Sequence, residues 1–75
     1  MSDQMSDELR KLAAIAIDLT YPVKVRTKAT EALGNISTHE ALRALLDLAA
    51  NDKLPIKERD LALKEARRII KTGHA

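Results

Sequence analysis

Residues 25–46 read VRTKATEALGNISTHEALRALL, and their reading decides the fold. Val25, Ala29, Ala32, Leu33 and Ile36 recur at helical spacing, and after a polar break Leu42, Leu45, Leu46, Leu48 and Ala49 do so again. In the break, Ser37-Thr38-His39-Glu40 has the spacing of a capping box. The Ser37 hydroxyl is set to accept from the Glu40 amide, and the Glu40 carboxylate from the Ser37 amide. A helix started there leaves almost no loop, which predicts an antiparallel helical hairpin. Gly34 lies inside the first periodic run, where it costs about 1 kcal/mol relative to Ala. That placement means either that the helix is nearly over or, the preferred reading, that a neighbouring backbone comes close.

Working outward, Ser6 is the expected N-cap of a first helix, with Asp7 and Glu8 favouring its positive end. Leu9, Leu12, Ala13, Ala16 and Leu19 give that helix its apolar face, and Ile15 and Ile17 widen it on opposite flanks. Thr20-Tyr21-Pro22 ends it, and Pro22 opens the second helix at the position where proline is tolerated. Lys24, Thr27, Lys28, Glu31 and Asn35 form the second helix's outer face. Beyond the third helix, Asn51-Asp52-Lys53-Leu54 forms a turn and Pro55 opens a fourth helix. That helix is expected to bury Ile56, Ala62, Leu63, Ala66, Ile69 and Ile70 and to stop at Gly73.

A shift of 33 residues aligns the halves without a gap. Leu9 meets Leu42, Leu12 Leu45, Ala16 Ala49, Pro22 Pro55, Lys24 Lys57, Arg26 Arg59, Ala29 Ala62 and Ile36 Ile69. The expectation is an all-α chain of one domain built from two helix-turn-helix units, residues 6–37 and 38–72. Two departures stand out: Glu58 falls where the first unit has Val25, and Glu65-Ala66-Arg67 replaces Ala32-Leu33-Gly34. Both are read as suiting a terminal, solvent-facing unit.

The pattern of Arg26, Ala29, Ala32-Leu33-Gly34 and Ile36 resembles a HEAT repeat, particularly the short HEAT-like form of phycobilisome-lyase-type proteins. The resemblance covers nearly the whole chain and implies a fragment of an α-α superhelix with right-handed stacking, its second helices lining an inner surface. It also implies that the early arginine of each unit bonds an aspartate near the preceding turn, with Asp18 or Asp52 as partners of Arg26 and Arg59. Proteins of this kind make surfaces rather than reactions.

Composition bounds the remainder. At 75 residues there is room for one small domain, and a chain of this size buries about 60% of its unfolded surface. The chain has no cysteine, so disulfides and thiolate metal sites are excluded. No apolar run approaches the roughly 18 residues of a membrane span, and the opening MSDQMSDE lacks a signal peptide's basic start. A soluble, cytoplasmic protein is expected. Tyr21 is the sole aromatic residue, which excludes modules that stack bases on exposed rings.

Reactive chemistry finds little material. His39 falls in the first turn of the third helix and His74 follows Gly73, neither with a ligand or triad partner at a suitable spacing. Gly34 and Gly73 are isolated and cradle no phosphate. The chain is expected to be no enzyme, with no catalytic residue, no metal and no cofactor.

Charge carries more. Residues 1–52 hold six basic and eight acidic side chains, and residues 53–75 hold seven and three. On the fourth helix Lys57, Lys64 and Lys71 fall along one line with Arg67 and Arg68 to either side, and Lys24 and Lys28 take the matching side of the second helix. Two readings stand side by side. Either the fourth helix is a solubilising end whose cations favour its C-terminus, or Lys24, Lys28, Lys57, Leu61, Lys64, Arg68 and Lys71 form a partner-binding surface. Leu61 is then a hydrophobic contact, or a residue the fold covers. The reading preferred is a small protein-interaction module or adaptor, its partner an acidic segment; the alternative is a nucleic-acid-associated protein using the basic stripe. Membrane partners are not expected. The wide apolar arc of the first helix points to a weak homodimer or a docked protein there, with the fourth helix as a charged, capped end.

Overall fold

The computed structural model describes residues 3–73, with side-chain surroundings for residues 7–72. Four helices follow one another: α1 Asp3–Ile17, α2 Val23–Ile36, α3 His39–Ala49 and α4 Ile56–Gly73. The chain is all-α, with no strand among the described residues. α1 begins ahead of Ser6, so Ser6 is not its N-cap. Nothing in residues 3–6 is a helix breaker. His74 lies outside the described residues.

The hairpin turn forms one residue later than its sequence suggests. Ser37 is the C-cap of α2, in the left-handed region at φ 56° and ψ 32°, and its hydroxyl donates to Gly34 O at 2.9 Å. Thr38 is the N-cap of α3, its hydroxyl accepting from the Ala41 amide at 3.1 Å. One hydroxyl therefore serves each helix end, and the expected reciprocal bond to Glu40 is absent. Only Ser37 and Thr38 separate the two helices, as the short connection requires.

The two prolines act alike. Pro22 and Pro55 immediately precede α2 and α4, and each carbonyl accepts from the amide four residues on, Arg26 and Arg59, both at 3.1 Å. The turns before them also match across the 33-residue shift. Asp18 Oδ1 accepts from the Thr20 amide and Asn51 Oδ1 from the Lys53 amide, both at 2.9 Å. Tyr21 N donates to Asp18 O at 3.0 Å and Leu54 N to Asn51 O at 3.1 Å. Either an aspartate or an asparagine closes such a turn, because the turn needs one acceptor and no charge.

α2 packs against all three other helices, α3 does the same, and α1 and α4 do not touch among the described residues. A closed up-and-down bundle would bring first and last helices together. This chain instead forms two layers, and its least dimension of 17 Å is that of two helices of about 10 Å. Leu33 and Leu45, both 0% exposed, sit at the centre with Ala16, Ala29, Ala41, Leu48, Leu54, Ala62, Ala66 and Ile69 around them. Leu54, expected in a surface turn, plugs the end of this core.

Several residues expected inside are outside. Leu19 lies in the turn after α1, and Ile17, Val25 and Leu46 are exposed. On α4, Ile56 is 64% exposed, Leu63 37% and Ile70 61%, so α4 is not the uniformly charged, capped end expected of it. A helix with apolar residues over a wide arc needs two neighbours, and the last helix of an open arrangement has them on one side only. Ile15, in contrast, is half-buried against the core.

Leu45→Ala removes a fully enclosed side chain between both layers and is expected to cost about 2 to 4 kcal/mol in denaturant unfolding. A loss below about 1 kcal/mol would place Leu45 at the periphery.

Candidate functional site

The face shared by α2 and α4 is built on charges that are buried, and it presents charges that are not. At its base is Arg26, one turn into α2 and 6% exposed. Its Nε donates to Glu58 Oε1 and its Nη2 to Glu58 Oε2, each at 2.8 Å, and Glu58 is equally buried. The remaining nitrogen, Nη1, donates to Tyr21 O at 2.6 Å and reaches Leu19 O at 3.5 Å. Two planar groups thus meet in a bidentate pair, and the guanidinium also fastens the turn before α2. The hydrogen bond that Arg26 donates to Glu58 is the main cause holding the Arg26 pKa above its ordinary value, against the opposing effect of burial.

The expected aspartate partners do not take these roles. Asp18 spends its carboxylate on Thr20, accepting from the hydroxyl at 2.6 Å and the amide at 2.9 Å. Those two bonds, the hydroxyl's first, hold its pKa below the ordinary value, and Arg26 adds only an attraction through space. Arg59 donates through Nε to Leu54 O at 3.0 Å, the counterpart of the bond from Arg26 to Tyr21 O. Asp52 is exposed and pairs with neither arginine. A partner on the next helix wins because Glu58 reaches the guanidinium along its fork, whereas Asp18 is already committed to its own turn.

Two turns further along, Gly34 faces the Glu65 carboxylate. A Cβ at residue 34 would overlap Glu65 Oε1 and stand 2.9 Å from its Cδ and 3.0 Å from Arg68 Nη2. The close approach expected at Gly34 is therefore made by a side chain, not by backbone. Glu65 Oε1 lies 2.6 Å from Arg68 Nη2. The contact is charge to charge with no directed hydrogen bond, which leaves that buried oxygen without a donor. Arg68 Nη2 also donates to Asn35 Oδ1 at 3.1 Å. Arg26 to Glu58, Gly34 to Glu65 and Asn35 to Arg68 keep a nearly constant offset, so α2 and α4 run parallel.

Glu58 and Glu65 were read as marks of a solvent-facing unit; both are buried between the helices. The signal that finds them is positional. Residues 58, 62, 65, 66 and 69 share one helical face, and a carboxylate on the inward face demands a cation opposite.

Above this floor, the parallel register sets Lys24 and Lys28 of α2 in turns equivalent to Lys57 and Leu61 of α4. Lys24, Lys28, Lys57, Lys64 and Lys71 are all exposed, and none takes part in an ion pair among the described residues. Leu61 is half-buried, so it contributes an edge rather than a full contact. Arg68 is exposed but engaged with Glu65 and Asn35. Glu31 is exposed at the turn of α2 equivalent to Lys64 and interrupts the positive surface there. The arrangement can attract anions; it holds no nucleophile with an adjacent base.

Elsewhere, His39 is exposed, and no group of three potential metal ligands occurs among the described residues. A shallow apolar groove of about 260 Å³ lies between α1 and α3, lined by Ala13, Ala14, Ile17, Ala44, Asp47, Leu48 and Asn51. No helix of the structure is long and apolar enough to cross a membrane. No protein-family model matches this sequence, no curated protein matches it, and no solved structure matches its fold.

Alanine is the better helix former by about 1 kcal/mol, yet Gly34→Ala is expected to lower the melting temperature by displacing Glu65. In a Glu65→Ala background the same change is expected to raise it by roughly 4 °C or more. An equal rise in both backgrounds would show that Glu65 does not rest on Gly34.

Proposed function

We propose that the chain is a non-enzymatic, HEAT-like interaction module that receives an acidic protein segment across the α2/α4 face. The observation that carries this reading is the exposed lysine set, Lys24, Lys28, Lys57, Lys64 and Lys71, none of them neutralised by a carboxylate of the described chain. Two carboxylates of α4, Glu58 and Glu65, are withdrawn into the junction beneath and engaged by arginine. The HEAT-like reading is supported by the recurrence of the turn and proline hydrogen bonds at 33 residues and by an open, layered packing of α1 through α4.

Spacing defines the ligand further. Lys57, Lys64 and Lys71 are two turns apart in succession, about 10 Å by the rise of a helix. A peptide in the polyproline II conformation advances about 3.1 Å per residue and turns once in three, so a carboxylate at every third position faces each lysine in turn. Leu61 gives such a peptide an apolar edge to lie against. Glu31 on the same face, and a net charge of only +2, disfavour a continuous phosphate backbone.

The test is fluorescence anisotropy with a peptide carrying Glu at every third residue, against single-stranded and duplex oligonucleotides. The peptide is expected to bind, and Lys57/Lys64/Lys71→Glu to weaken it at least tenfold with the melting temperature unchanged. Tighter binding of oligonucleotide, with a log-log salt slope of about 0.7 to 0.9 per phosphate contact, would replace the acidic peptide by nucleic acid. Binding that ignores the triple substitution would overturn the site.

A further inference from the structure

The 33-residue correspondence singles out one surface of α4. Within the chain, the face of α2 covered by α4 is centred on Thr30, which is 4% exposed, with Arg26 one turn before it and Gly34 one turn after. The shift carries these three onto Arg59, Leu63 and Arg67. The α4 face centred on Leu63 is therefore the counterpart of a covered junction, with no element of the described chain over it. Between Arg59 and Arg67 it carries an apolar line: Ile56, Leu63 and Ile70 recur every seven residues, a straight seam of about 21 Å, on the flank opposite Glu58 and Glu65. Leu46, 43% exposed, lies on the flank of α3 turned away from the α1 groove and extends the same end of the molecule.

We propose that this end face is where a second copy of the chain docks, the two α4 helices packing antiparallel about a two-fold axis at Leu63. In that arrangement Leu63 meets its own counterpart, Ile56 meets Ile70 of the second copy, and the seam closes on itself without an unpaired apolar residue. Charge supports the direction. Asp60 and Arg67 are both exposed on one flank of the seam, neither in an ion pair among the described residues. Antiparallel pairing sets each Asp60 beside Arg67 of the other copy, twice per dimer. A parallel pairing instead turns the two charged flanks to opposite sides of the seam and forms neither pair.

The junction cannot simply be repeated head to tail. The internal junction depends on Glu58 meeting Arg26 and on Glu65 resting against Gly34. At the corresponding positions a following copy would offer Val25 to Arg59 and Ala32 to Arg67, so both carboxylates are missing and a long side chain stands where glycine left room. An isologous dimer keeps the apolar burial, gains two ion pairs and leaves Lys57, Lys64 and Lys71 free. With three or four apolar residues per copy the interface is small, and a Kd of roughly 10 to 100 µM is expected.

Sedimentation equilibrium of the full chain from micromolar to millimolar concentration tests this, with circular dichroism confirming that each surface variant is folded. Wild type is expected to dimerise, and Leu63→Glu to raise Kd at least tenfold. Asp60→Arg and Arg67→Glu are each expected to weaken association several-fold, and the double swap to restore it to within threefold of wild type. A monomer at millimolar concentration, or a dimer indifferent to Leu63→Glu, overturns the interface. A Leu63-dependent dimer that the double swap fails to restore overturns the antiparallel pairing.

Discussion

The pair between Arg26 and Glu58 is taken out of water where the two halves of the chain meet along α2 and α4. Burying two full charges is costly, and their mutual attraction offsets that cost only when the geometry is close to ideal and each guanidinium nitrogen finds a partner. Here it is: two parallel bonds of 2.8 Å to the carboxylate and a third to Tyr21 O. A sliding of α4 along α2 by one turn would carry Glu58 about 5 Å from the guanidinium and leave Arg26 buried without a partner. The hydrophobic core alone does not impose such a penalty, because its α2 and α4 contacts are largely alanine and tolerate small displacements. The ion pair fixes register, and the leucines around Leu33 and Leu45 supply the burial.

The same pair separates the charges of α4 into two populations. Its carboxylates at 58 and 65 face inward, toward Arg26 and Gly34, while Lys57, Lys64 and Lys71 stay in solvent. An amphipathic helix ordinarily mixes both signs on its wet side and neutralises itself there. By burying two of its three acidic groups, α4 leaves its surface more positive than its sequence balance implies. The proposed acidic ligand follows from that partition rather than from the net charge, which is only +2.

Helix number, the prolines at helix starts and the 33-residue recurrence were legible in the sequence because each follows from local rules: apolar spacing and a fixed proline φ, repeated at a constant interval. Ser37 and Thr38 show the limit of such rules, since either hydroxyl satisfies a cap and the choice depended on which residue took the left-handed conformation. Burial was less legible. Ile56, Leu63 and Ile70 carry the same apolar signal as Ala62 and Ile69, and periodicity does not say which of two flanks finds a neighbour. Glu58 and Glu65 were misread for the converse reason: a charge in a periodic apolar position looks like exposure unless its partner, 32 residues away for Arg26, is known. The exposure of the lysines needed only side-chain direction on two helices, so it was legible in the sequence.

The most direct test of the central claim is a double-mutant cycle on the ion pair, with thermal unfolding followed for Arg26→Met, Glu58→Leu and the two together. Each single change leaves a buried charge without its partner and is expected to lower the melting temperature by about 10 °C or more. The double variant replaces the pair by apolar contact and is expected to regain at least half of that loss. Losses that simply add in the double variant would contradict the account, because the two residues would then act independently and something else would hold α2 against α4.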